Sequence, residues 1–120
     1  MKHKTAELTG ALLDAAVAMA EGWSHAGPHQ WFHAARRVFS DPLALFPPPY
    51  SSSWFDGGPI MEREGISPER HKPDSMDAAD PLVSDGRWMW VTETHCGPTM
   101  LIAAMRAFVA SKLGDEIELP

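Results

Sequence analysis

Three groups of residues in the 120-residue chain have the types and spacing to do chemistry. His25, His29 and His33 recur every four positions. On a helix, His29 and His33 would share a face and could hold a metal ion. Two ligands fall short of a zinc site, no Glu follows His29 as in a zincin, and Pro28 keeps His25 off an unbroken helix. The expectation is three partly exposed histidines and no metal. His95 and Cys96 stand just before a helix start, which is the setting of an activated thiol. Neighbours on a strand point to opposite faces, so a buried, inert cysteine is expected instead. Glu62, Arg63 and Glu64 follow a Gly57-Gly58-Pro59 turn and read as a small acid–base or ion-pair site, whose ordinary form is a solvated surface network. The glycine pair lacks the Lys-Ser/Thr of a P-loop, and neither G-x-G-x-x-G nor G-x-S-x-G occurs. No catalytic residue and no cofactor are expected.

The element that would position such groups is the stretch from Gly97 to Leu119. Pro98 suits a first helical turn, Gly114 suits the position after the last, and Lys112 complements the dipole. Between them nearly every residue is apolar. Thr99, Ala103, Arg106 and Ala110 fall on one narrow stripe, and Leu101, Ile102, Met105, Phe108, Val109 and Leu113 cover the rest. Such a helix belongs between two layers or at a subunit interface. Met1–Glu7 reads as a short strand, and Gly10–Glu21 as a helix capped by Thr9 and ended by Gly22. Trp23–Pro28 reads as a turn-rich joint, and Gln30–Phe39 as a second helix with Trp31, Phe32, Ala35 and Phe39 (or Val38) inward. Pro47-Pro48-Pro49-Tyr50 matches a WW-domain ligand, but reads more simply as a rigid connector. Pro59–Glu64 is a strand or the start of a short helix, Ser67–Ser84 a mobile loop, and Arg87–Thr94 a strand.

Composition narrows the classes. The length suits one domain spanning 1–120, and 44% apolar residues with five Trp argue for a packed core. A formal charge of −6 makes nucleic acid an improbable partner, because such affinity rests on Lys and Arg neutralising phosphates. A single cysteine fits a reducing compartment. The N-terminal stretch imitates a signal peptide, with Ala18-Met19-Ala20 as a cleavage site, but Glu7 and Asp14 interrupt its apolar run. No stretch is long enough to span a membrane.

KTAELTGALLDAAVAMAEG, YSSSWFDGGPIMEREGI and GPTMLIAAMRAFVASKLGDEIELP resemble, in that order, the phage NinX-like family of small tailed-phage and prophage proteins. The resemblance covers about two-thirds of the chain. It retains Asp14 and Glu21, but puts Ala15 or Ala16 where family members often have Trp. It implies an accessory protein in the cytoplasm of a bacterial host, without an established activity. A related phage domain implies an α-β-α sandwich, which agrees with the α+β class read from the elements: a small antiparallel sheet between helices. The motif positions it offers as a site are Trp54, Asp56, Gly57, Gly58, Pro59, Glu62 and Arg63, with Gly97, Pro98, Thr99 and Arg106. Arg106 is a charge on an apolar helix, and a buried Arg ordinarily needs a carboxylate. An ion pair to Glu62 or Asp56 is therefore expected.

Two functions are open at this point, beside a weaker third, modest nucleic-acid contact through Arg36-Arg37 and Lys2/Lys4, which the acidic balance opposes. One is a non-enzymatic interaction or regulatory module that binds a host or phage protein, with a homodimer as a variant. The other is a small enzyme or a protein for a small anion or nucleotide, with its site between Asp56–Arg63 and the Gly97–Thr99 helix start.

Overall fold

The computed structural model describes residues 2–27, 30–41, 45–71 and 89–119. Among these the chain forms eight short strands and three helices, an α+β arrangement in which helices pack against small antiparallel sheets.

Helix α1 (Gly10–Ala20) starts after an extended Thr9 and stops before Gly22. Helix α3 (Met100–Leu113) starts at Thr99, whose hydroxyl accepts the Ile102 N–H at 3.1 Å, a side-chain N-cap. Gly114, at φ 93°, ends it. The two helices cross through Leu13, Ala16 and Val17 on one side and Met105, Phe108 and Val109 on the other, all buried in one cluster. Alanines at the crossing take little room, which leaves space for the larger buried side chains between the helices.

The expected second helix is absent. Trp23–Gly27 (β2), Gln30–His33 (β3) and Val38–Phe39 (β4) form an antiparallel sheet in that order. Trp31 and His33 are buried while Phe32 faces outward onto Phe39, ring centroids 4.7 Å apart. That is a period of two, and a helical reading wrongly put Trp31 and Phe32 on one face. His25 packs edge-on against Trp31, and His33 bonds to the Glu21 carbonyl and the Arg36 N–H at 3.0 and 3.2 Å. His29 lies outside the described residues.

A second sheet joins Glu69–His71 (β5), Met89–Val91 (β6) and Cys96–Gly97 (β7). The strand expected at Arg87–Thr94 is therefore present at its described centre. Part of the stretch read as a loop, Glu69–His71, is strand; its remainder from 72 to 84 lies outside the described residues. The β6–β7 turn is held by Thr92, whose hydroxyl accepts the His95 N–H at 2.9 Å. The third sheet is a ribbon of Lys2–Lys4 (β1) with Glu116–Glu118 (β8). A single 3-10 turn, Thr5–Glu7, follows β1. Thr5 is fully buried and ties the ribbon to the end of α3: its N–H donates to the Asp115 carbonyl at 2.8 Å and its hydroxyl to the Gly114 carbonyl at 2.7 Å.

The proline run is a connector. Tyr50 is buried in the core cluster rather than offered to a partner, and burial, reinforced by Glu21 and Asp56, pushes its phenol up to about 12. Asp14 of α1 accepts the Ser51 N–H at 2.8 Å, so this carboxylate fastens the connector to the first helix.

Candidate functional site

Helix α2 (Trp54–Glu64) carries most of the residues singled out from the sequence. It runs straight through Gly57-Gly58-Pro59, where a turn was expected. Pro59 removes the N–H that would bond the Phe55 carbonyl, but Phe55 is at the surface, where water can take that carbonyl instead. Gly65, at φ 68°, ends the helix in the left-handed conformation.

The two sides of α2 have different duties. Gly57 and Ile60 are buried. A Cβ on Gly57 would run into the Tyr50 carbonyl oxygen and stand 2.8 Å from Leu101 Cδ2, so glycine is what lets α2 seat on the connector and α3. The outer side exposes Trp54 (57%) and Phe55 (90%) in succession. Trp54, Gly58, Met61, Glu62 and Ile66 line an open depression of about 540 Å³. Phe55, Met61 and Ile66 were not picked out from the sequence. The one-face spacing of 54, 58, 61, 62 and 65 would have revealed the depression, had the helix been read through its glycines.

Arg63 sits at the centre of an ion-pair network. It donates to Glu21 at 2.5 Å and to Glu64 at 3.0 Å, and Glu64 also meets Lys112 at 3.3 Å. Its guanidinium lies 5.6 Å from the Phe108 ring centroid. Glu21 and Glu64 raise the Arg63 pKa, and the Arg63 hydrogen bond holds Glu64 below its ordinary value. The side chain is half exposed, so the network orients α1, α2 and α3 on the surface and adds little stability. Asp56 stands in the first turn of α2, favourable to the helix dipole.

Thr99 and Arg106 belong elsewhere. The Thr99 hydroxyl is committed to its cap. Arg106, only 8% exposed, is not paired with Glu62 or Asp56 as expected. Its Nε donates to the Leu8 carbonyl at 2.9 Å and its Nη1 to the Cys96 carbonyl at 2.8 Å. Main-chain oxygens satisfy the guanidinium, and burial lowers its pKa.

The sequence model of the family described as Bacteriophage P22, NinX matches residues 4–112. The chain belongs to the NinX family. It is accordingly a phage accessory protein. The NinX match takes in all of α1 and α2 and all but the last residue of α3, and so includes both the exposed aromatic pair and the Arg63 network. A search of curated proteins finds no match to this NinX-family chain. Among the described residues no helix is long and apolar enough to cross a membrane.

Cys96, expected to be buried, is only half-buried in this NinX chain, and it is the neighbouring histidine that is enclosed. His95 is buried and its Nδ1 is 2.9 Å from the Thr94 hydroxyl, so it serves the β6–β7 turn. Burial holds its imidazole below the ordinary 6.5, with Asp115 opposing and Arg106 reinforcing the shift. An unfolded His95 would thus bind protons that the folded one refuses, and stability falls as the pH drops below about 6.5. Urea titrations between pH 7 and about pH 5 check this. A His95→Gln variant is expected to show a flatter profile than the wild type.

Proposed function

We propose that this NinX-family chain is a non-enzymatic interaction module, working without a cofactor in the bacterial cytoplasm, that engages a host or phage protein through the outer face of α2. The observation that carries this is the exposure of Trp54 and Phe55 side by side at the head of a helix whose opposite side is locked into the core. Two large rings held rigidly in water supply contact area with little conformational entropy left to lose on binding, and Trp is enriched at interface hot spots. The adjoining depression, with Met61 and Ile66 in its lining, offers a receptor for an apolar side chain of the partner. The Arg63 network supports the reading by fixing the far end of α2 against the other two helices.

The test is affinity capture from nuclease-treated infected lysate, comparing wild type with a Trp54→Ala/Phe55→Ala double variant. The wild type should retain a stoichiometric protein that the double variant loses, with affinity down by about 100-fold. Both side chains are exposed, so the variant's melting temperature should stay within a few degrees of wild type. A wild-type preparation that returns alone, or a variant that captures the same protein equally well, overturns the proposal.

A further inference from the structure

Strand β1 is paired with β8 on one side, and among the described residues no strand lies on its other side. The phase of the ladder identifies the backbone groups that face the open side. The Thr5 N–H donates to the Asp115 carbonyl, and the register continues Lys4↔Glu116, His3↔Ile117, Lys2↔Glu118. In an antiparallel pair, alternate residue pairs exchange the bonds. Thr5–Asp115 and His3–Ile117 are therefore the bonded pairs, and Lys2 turns its N–H and C=O outward and Lys4 its N–H, while the Lys4 C=O opens the 3-10 turn Thr5–Glu7. The side chains of the same two residues are exposed. Alongside lies a cavity of about 430 Å³, with Lys2, His3, Lys4 and Leu12 in its lining and Glu7 and Glu116 also reaching it. Leu12 is 46% exposed, in the first turn of α1 beside the exposed Gly10 and Ala11. The fold also displays the kind of strand that β1 accepts. Glu118 and Glu116 stand opposite Lys2 and Lys4, with a buried Ile117 between them.

We propose that the open edge of β1 docks an extended partner segment in which acidic and aliphatic residues alternate, added as a third strand. The N–H and C=O of Lys2 and the N–H of Lys4 bond the incoming backbone, and the two ammonium groups attract its carboxylates. The aliphatic residue between those carboxylates falls on the His3 side, and His3 and Leu12 both line the adjoining cavity. This edge is separate from the α2 face and does not depend on it. Symmetric pairing of two β1 edges would set lysine against lysine, which disfavours a second copy in that arrangement.

The test uses the full chain and a fluorescein-labelled peptide, Gly-Glu-Ile-Glu-Val-Glu-Gly, read by anisotropy at low salt. Saturable binding is expected, weakened about tenfold by Lys2→Gln/Lys4→Gln. It should be abolished when alternate peptide nitrogens are methylated, because a strand contact needs those N–H groups whereas general charge attraction does not. Amide shifts should be confined to Lys2–Leu12. Equal binding of the methylated peptide, equal binding by the double variant or the lack of saturation each overturns the proposal. Concentration-dependent self-association removed by the same substitutions would also overturn it, assigning the edge to β8 of a second copy. The methylated peptide tests the wild-type chain directly, even if the double variant were to lose its ribbon.

Discussion

Arg106→Met lowers the unfolding free energy by about 3 kcal/mol and the melting temperature by about 10 °C. Methionine keeps most of the volume, so the loss comes from the two carbonyls, of Leu8 and Cys96, that the guanidinium now satisfies. Leu8 lies in the core cluster, where an orphaned acceptor has no water to turn to. These bonds tie three separated parts of the chain, because Arg106 is on α3, Cys96 is in β7 and Leu8 follows the first turn. Arg106→Lys, with one ammonium in place of a two-pronged fork, should lose about half as much. Because the contacts are buried and run to neutral oxygens, the loss should persist at high ionic strength, unlike that of a surface ion pair. Thermal and urea unfolding check this. A methionine variant that melts within about two degrees of wild type would sink the clamp reading.

The second large effect separates two neighbouring glycines. Gly57→Ala should cost about 2–3 kcal/mol, because its methyl group meets the Tyr50 backbone as well as Leu101 and the helix must lift off both. A Cβ on Gly58 meets only the Trp54 ring, at an ordinary 3.8 Å. Alanine there gains about 1 kcal/mol of helix propensity, but its Cβ crowds the Cδ of Pro59, so the net change should be within about 0.5 kcal/mol of zero. Chemical denaturation of the two single variants decides the matter. Equal losses at both positions would mean that helix propensity, rather than the seat on Tyr50, governs this stretch.

Where local chemistry dictates structure, it was legible. Thr99 and Gly114 bracket α3, because caps act within one turn of themselves, and Gly22 follows α1, although the Thr9 side chain makes no cap bond there. The middle of the chain was not, for two reasons. Trp31, Phe32 and His33 are contiguous and bulky, and only the sheet that they join shows which one faces out. Gly57-Gly58-Pro59 has the composition of a turn, and its helix is held by Tyr50 and Leu101, contacts that local propensity cannot express. The site was legible as a list of residues and not as a place. Arg63 was expected among carboxylates and is found there, with Glu21 supplied from another helix. Arg106 was expected to need an acid, because sequence does not reveal that two distant carbonyls converge on it.

The β1–β8 ribbon also bears on the order in which the molecule assembles. Its register joins Lys2 to Glu118, so nearly the whole chain separates the two strands. During synthesis β1 emerges long before β8 and waits for it. The Thr5 and Leu8 anchors wait likewise, since their partners lie at Gly114, Asp115 and Arg106. Closing so long a loop late is entropically costly and slow, and until then the apolar face of α1 has no α3 to cover it. The growing chain is therefore most exposed to aggregation and proteolysis until α3 and β8 have been made. Stalled chains ending ahead of α3 should be degraded by added protease much faster than chains that extend past Glu118.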